Sequence, residues 1–278
     1  MAAEFEALEA NLRQSFRILA EGRRRADIVE LDGVSIASLG AQFQMFNAAF
    51  LNSQVPTRFD LEARMERARR FFSVRQLAWA FWICEDWLQP RERRRLVSVC
   101  EAFGMRAATE MPGMVADSLR EPGRFSLRAR VAPALDIRRA EDPRTMEDFR
   151  AIGSVCFHVP PAWFGEVFDD TMPSREFTCW VAYRDGRPVA TAATVVSGGV
   201  IGLYNIATAP DQQGRGYGEA ITRHAIRSAS RESGLSRVIL QSTSQGERLY
   251  RRLGFREVSR VVVFNSVFNP LHNPMDAP

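Results

Sequence analysis

Residues 213 to 218 read Gln-Gly-Arg-Gly-Tyr-Gly. Before them, Val200 to Ala207 reads as a strand, closed by Ala209-Pro210-Asp211. After them, Glu219 to Ile226 carries a helical pattern. A strand, a glycine-rich turn and a helix start together make an anion site. The unpaired N–H groups of the first helical turn point at the ligand, and glycine lets the backbone come close. The chemistry expected here is the grip on a phosphate-bearing ligand. A nucleoside triphosphate loop needs Gly-x-x-x-x-Gly-Lys-Ser/Thr. No such run occurs, and the chain contains no lysine at all. A dinucleotide fingerprint needs Gly-x-Gly-x-x-Gly with an acidic residue about 20 residues on. The glycines here are Gly214, Gly216 and Gly218, and no acid near residues 236 to 243 stands in the right place after a strand.

The pattern present is Gln-x-x-Gly-x-Gly, as Gln213, Gly216 and Gly218. A second strand, Ser236 to Gln241, follows the helix. Then come Gly246, Leu249, Tyr250 and Leu253-Gly254-Phe255, leading into a strand from Glu257 to Phe264. Together these motifs resemble the GNAT superfamily of acyl-CoA-dependent N-acetyltransferases, over residues 134 to 268. The resemblance implies an α/β (α+β) fold, a mixed and mostly antiparallel sheet flanked by helices. It implies acetyl-CoA, or another acyl-CoA, as the donor. On it, Ile206, Ala207 and Thr208 would offer strand backbone to the pantetheine arm. Gln213, Gly214, Arg215, Gly216, Tyr217 and Gly218 would line the phosphates. Tyr250 would protonate or hydrogen-bond the departing sulfur, a task suited to a phenol that is neutral at pH 7. Thr243 stands where many members carry an asparagine that bonds the arm.

The acceptor side is less legible. Members with a carboxylate base often place it on the cofactor strand, a position that falls near Gly202 here, with no acid nearby. His158 and Glu166 lie in the helical region that usually caps the acceptor pocket, and an imidazole has a suitable intrinsic pKa. Tyr204, Asn205, Trp163 and Phe164 are further acceptor-pocket candidates. His224 reads as structural. The expected activity is direct transfer of an acetyl group to a primary amine on a small molecule or peptide, with no metal. The alternative is a non-catalytic acyl-CoA sensor or interaction protein, motivated by the missing carboxylate.

The elements around these residues set the frame. The net charge of +4 is modest, and Arg23-Arg24-Arg25 and Arg91 to Arg95 read as solvated helix faces. A nucleic-acid partner is therefore not expected. The four cysteines show no Cys-x-x-Cys; Cys84, Cys156 and Cys179 read as buried free thiols. Val189 to Ala209 carries no charge over 21 residues, a length that could cross a membrane. Its valine and threonine content and the Ser197-Gly198-Gly199 break favour two buried strands instead. No signal-peptide pattern is read at Met1 to Glu6, and the expected location is cytoplasmic.

Residues 121–133 read as a linker, dividing a first half, 1–120, from a second, 134–278. The second half opens with a strand at Leu135 to Arg138 and a helix from Arg144 to Cys156. A hairpin through Asp185-Gly186 joins strands at 177–183 and 189–196. The first half offers a helix from Phe5 to Leu19, strand-like Val34 to Ala37, a helix from Asp60 to Phe72, and a strand near 111–119. Its Ala78 to Asp86 is similar to Cys179 to Asp185, and its Leu96 to Arg106 to Leu249 to Arg256. The first half therefore resembles a degenerate copy of the second, without the Gln-x-x-Gly-x-Gly loop. The expected architecture is two tandem GNAT-like domains.

Overall fold

The computed structural model describes residues 4–121, 134–169 and 176–267. Apart from Glu121, the expected linker lies outside them. In the first half the helices are α1 (Glu4–Ala20), α2 (Arg58–Arg75) and α3 (Pro90–Ala102). The strands are β1 (Asp27–Leu31), β2 (Val34–Ser38), β3 (Asn47–Leu51), β4 (Ala80–Cys84) and β5 (Met105–Ala116). The second half adds β6 (Asp136–Arg139), α4 (Pro143–Phe157), α5 (Pro161–Val167), β7 (Phe177–Arg184), β8 (Arg187–Ser197) and β9 (Val200–Thr208). It continues with α6 (Tyr217–Ser233), β10 (Val238–Gln241), α7 (Ser244–Leu253) and β11 (Arg256–Ser266).

Two compact units result, and they cut across the sequential division. One joins Met1–Leu19 to Gly113–Val258; the other joins Ala20–Pro112 to Ser259–Pro278. The first is called the loop unit here and the second the companion unit. The reason for the cut is a crossing of chain ends. Helix α1 leaves its own half to pack in the loop unit. The end of β5 also lies in the loop unit, and most of β11 in the companion.

In the loop unit the strands run β6-β7-β8-β9-β10-β5. β6 to β9 are antiparallel, β9 and β10 are parallel, and β10 meets β5 antiparallel at Val238↔Ala116 to Gln241↔Gly113. The hairpin turns at Asp185-Gly186 and Gly198-Gly199 have positive φ at both central residues, which matches the twist of the flanking strands. The uncharged 189–209 segment is thus two strands, and no described helix is long and apolar enough to cross a membrane. Helix α6 makes the crossover from β9 to β10. It buries Ile221, Ala225, Ile226 and Ala229 on one face, over Ile201, Leu203 and Leu240 of the sheet. Each buried isoleucine contributes roughly 1.5–3 kcal/mol.

The companion unit runs β1-β2-β3-β4-β11. Here too an antiparallel meander leads to a parallel pair, β3 and β4, and then to an antiparallel last strand, with Cys84↔Val261 to Ala80↔Asn265. Helix α2 makes this crossover and buries Leu61, Met65, Ala68 and Phe72. Phe72 stacks on Trp79 at 5.0 Å. In each unit the last place is filled by the terminal strand of the other half of the sequence. Two sequence expectations change here. β1 is an additional strand, and β5 begins at Met105, six residues before the strand expected at 111.

Candidate active site

The site is built on β9, and β9 is irregular. Its register with β8 shifts between Thr191 and Ala193, so that Asn205 and Ile206 form a bulge. Asn205 has φ 49°, a left-handed conformation that asparagine tolerates better than most residues. The Thr191 hydroxyl donates to the Asn205 carbonyl at 3.0 Å and holds the bulge. On its other edge β9 pairs with β10 at just two positions, Ile201↔Val238 and Gly202↔Ile239. Beyond Gly202 the two strands part. The backbone of Leu203 to Thr208 then has an edge with no β10 partner. This is the stretch that contains Ile206, Ala207 and Thr208.

The loop after β9 is tied at its base, where Ala209 N–H donates to Val189 O at 2.9 Å. A short 3-10 turn, Pro210–Gln212, follows. Gln213 Nε2 donates to Thr208 O at 3.3 Å, so its side chain braces the loop. Gly214 and Gly216 have φ of 77° and 84°, and a Cβ at either would meet nothing within 4 Å. The glycines therefore serve backbone conformation and open the space in front of the helix. Gly216 is the N-cap of α6, and no side chain caps the helix there. The first helical bond is Ala220 N–H to Gly216 O at 3.0 Å. The N–H groups of Tyr217, Gly218 and Glu219 thus have no hydrogen-bond partner among the described residues, at the positive end of a 17-residue helix. Arg215 is exposed beside them. A Cβ on Gly218 would lie 3.1 Å from Thr208 Oγ1, so glycine keeps helix and strand close. The donor set fits a diphosphate. The ring of Tyr217 is 7% exposed and belongs to the core, so what this residue offers at the loop is its backbone N–H.

Tyr250 sits on α7, 7% exposed, its ring edge-on to Phe255 at 5.7 Å. Its hydroxyl has no hydrogen-bond partner among the described residues, and burial pushes its pKa well above the ordinary tyrosine value. Gly246 makes room for it. A Cβ there would be 2.9 Å from Tyr250 Cε2 and 3.3 Å from Ser242 Oγ. Thr243 is the N-cap of α7, its hydroxyl accepting from Gly246 N–H at 3.3 Å. That oxygen is engaged in holding the helix.

On the opposite face of β9 lies a residue that the sequence reading omits. Asn11 of α1 is fully buried. Its Oδ1 accepts from the Tyr204 hydroxyl at 2.7 Å, and its Nδ2 donates to Val195 O and Ser197 O, each at 3.2 Å, and to Ser197 Oγ at 2.9 Å. A Cβ on Gly202 would overlap Asn11 Oδ1 and lie 2.6 Å from Tyr204 Cε2. The strand position that could carry a base is therefore filled by an asparagine from a distant helix. The available signal was a polar residue on the apolar face formed by Leu8, Leu12 and Leu19.

A chain of ring contacts, Phe164 to Phe168 to Phe177 to Tyr204, links two of the acceptor-pocket candidates. Phe164 is core, with rings of Phe149, Phe157 and Phe168 around it, and it fills the space left by Gly153. Trp163 and Glu166 are half-buried on α5, while His158 is exposed and ends α4 with φ 54°. Cys156 is half-buried rather than buried, and its thiol donates to Thr208 O at 3.3 Å. His224 packs against Trp180 at 4.8 Å, and burial lowers its pKa, as suits a structural imidazole.

Comparison with known proteins follows the same lines. Residues 175–257 match the family model described as an acetyltransferase (GNAT) domain. Among solved structures, a GCN5-related N-acetyltransferase from Kribbella flavida superposes with a TM-score of 0.70 at 18% identity, covering 95% of this chain and 97% of that one. A functionally unknown conserved protein from Staphylococcus epidermidis gives 0.62 at 11% identity, covering 88% and 95%. A GCN5-related N-acetyltransferase from Sphaerobacter thermophilus gives 0.58 at 15%, covering 84% and 76%. At these identities the likeness is one of fold. No curated protein matches the chain.

Proposed function

We propose that the chain is an N-acetyltransferase, a reading supported by the match of residues 175–257 to the acetyltransferase (GNAT) family model. It takes the acetyl group from acetyl-CoA and passes it directly to a primary amine of a small molecule or peptide. The observation that carries this reading is the uncapped start of α6 at Gly216, beside the gap between β9 and β10. The free N–H groups of Tyr217 to Glu219 bind the diphosphate, with Arg215 adding positive charge. The edge of β9 that lacks a β10 partner, Ile206 to Thr208, bonds the pantetheine amides through groups other than the Thr208 carbonyl, which Gln213 and Cys156 already engage. Bound acetyl-CoA supplies an activated acyl carbon. Tyr250 gives its proton to the departing sulfur as the C–S bond breaks. It recovers one from the amine, through water, as the C–N bond forms.

The companion unit takes no cofactor in this reading. It is a degenerate copy whose corresponding helix start is capped by Thr57 and Asp60.

The test is a calorimetric titration with acetyl-CoA, for the wild type and for Gly216→Trp. One-to-one micromolar binding that the variant loses supports the reading; a wild type that does not bind refutes it. A second reading, an acyl-CoA sensor without catalysis, is favoured by the filled position at Gly202. Release of free CoA thiol with any member of an amine panel, above hydrolysis, would exclude it.

A further inference from the structure

Leu240 of β10 and Leu203 of β9 belong to the core beneath α6. Their neighbours Gln241 and Tyr204 therefore point to the opposite face of the sheet. The two strands pair at Val238↔Ile201 and Ile239↔Gly202. Continuing that register sets Gln241 level with Tyr204, across the gap where β9 and β10 separate. On its other side Gln241 is paired with Gly113, which has no side chain to offer. The Tyr204 hydroxyl is already given to Asn11. Gln241 Nε2 is buried and has no hydrogen-bond partner among the described residues. A buried carboxamide N–H without a partner is costly, and such a group in a native protein calls for an explanation.

We propose that Gln241 Nε2 donates a hydrogen bond to the carbonyl oxygen of the thioester held in this gap. The proposal rests on the acyl-CoA reading above. It gives the unpartnered amide a ligand oxygen as acceptor. It also sets two donors on opposite faces of the sheet. Tyr250, in the core on the α6 side, faces the sulfur. Gln241, on the other side, faces the oxygen. That oxygen gains negative charge as the amine adds to the acyl carbon, so a fixed N–H aimed at it lowers the barrier as well as selecting the acyl form.

The experiment compares acetyl-CoA with S-ethyl-CoA, the thioether that lacks the carbonyl oxygen, by calorimetry on the full chain. The wild type is expected to bind acetyl-CoA about fivefold more tightly, the worth of one hydrogen bond. Gln241→Met, similar in length but without the amide, is expected to bind the two equally. If that variant fails to fold, Gln241→Asn withdraws the amide by one carbon and is expected to lose the same preference. An unchanged ratio in a folded variant overturns the proposal, as does a wild type with no preference. A wild type that binds neither compound overturns the acyl-CoA reading and takes this inference with it.

Discussion

After the strand that precedes the crossover helix, the two units take opposite courses. In the companion, Val55 N–H donates to Trp87 O at 2.7 Å, and Val55 bridges to Leu88, so the parallel strands are tied again beyond β3 and β4. Helix α2 then starts with a full capping box. The Thr57 hydroxyl accepts from Asp60 N–H, and the Asp60 carboxylate accepts from Thr57 N–H at 3.1 Å. In the loop unit the strand bulges at Asn205, the parallel pair opens after Gly202, and α6 starts at an uncapped glycine. The topology is the same and the local chemistry is reversed. A helix cap is worth about 1 kcal/mol, and it places an oxygen where a phosphate would sit. The companion keeps the cap, and the loop unit leaves the same N–H groups free. On the proposed reading, an anion site in this fold is made by omitting stabilising contacts.

The helices before the last strands show the same contrast. Counting four residues back from the glycine that follows each helix gives Tyr250 from Gly254 and Cys100 from Gly104. Both are buried. Sequence similarity sets Leu96-Val97 against Leu249-Tyr250, yet Val97 is exposed, so burial favours Cys100 as the counterpart. Burial pushes the Cys100 thiol far above its ordinary pKa, leaving it neutral and inert.

The largest expected effect is at Tyr250. Tyr250→Phe should lower kcat about 100-fold, with the acetyl-CoA Kd unchanged, as measured by steady-state kinetics and calorimetry. The same assignment fixes a pH profile. Burial raises this phenol above its free value of about 10, so the acid form persists through neutral pH and is lost only as pH climbs through the raised pKa. No alkaline fall in kcat should appear below about pH 10, and a fall near pH 8 would remove Tyr250 from the role.

Next in size is Gly216→Thr, which puts a β-branched residue at φ 84° and, once the backbone relaxes to the extended form seen at Thr57, gives the start of α6 the capping-box pattern Thr-x-x-Glu with Glu219. Acetyl-CoA affinity should drop at least about tenfold, because the cap and the anion need the same N–H groups. Unchanged affinity would break the comparison between the units. Asn11→Ala leaves the Tyr204 hydroxyl and two strand carbonyls short of a buried partner, and should cost roughly 2 kcal/mol in denaturant unfolding. Thr57→Ala should lower stability by about 1 kcal/mol and leave the acetyl-CoA Kd unaltered. Any change in that Kd would mean that the companion contributes to the site.

Much of this was readable in advance where the cause is local. The hairpin at Asp185-Gly186, the helix starts and the Gln213 to Gly218 loop follow from residues within a few positions of each other. β1 has its own local signal, Asp32-Gly33 before β2, which the strand reading at 34–37 passes over. Phe164 is aromatic and near the site in sequence, but an aromatic ring buries a large apolar area, and it went to the core.

By itself the sequence determined the chemistry of the loop. Two glycines before a helix and a third in its first turn supply no side chain to cap its N–H groups, and a tyrosine before Leu253-Gly254-Phe255 lies on the last helix before a strand. Tertiary structure alone decided the exchange of β5 and β11 between units, the gap between β9 and β10, and the filling of the Gly202 position by Asn11. These depend on contacts between residues far apart in the chain, from Ile201 with Val238 to Asn11 with Val195 and Tyr204. Such pairings are settled by register and by competition for buried space across the sheet, and no short stretch of sequence encodes either.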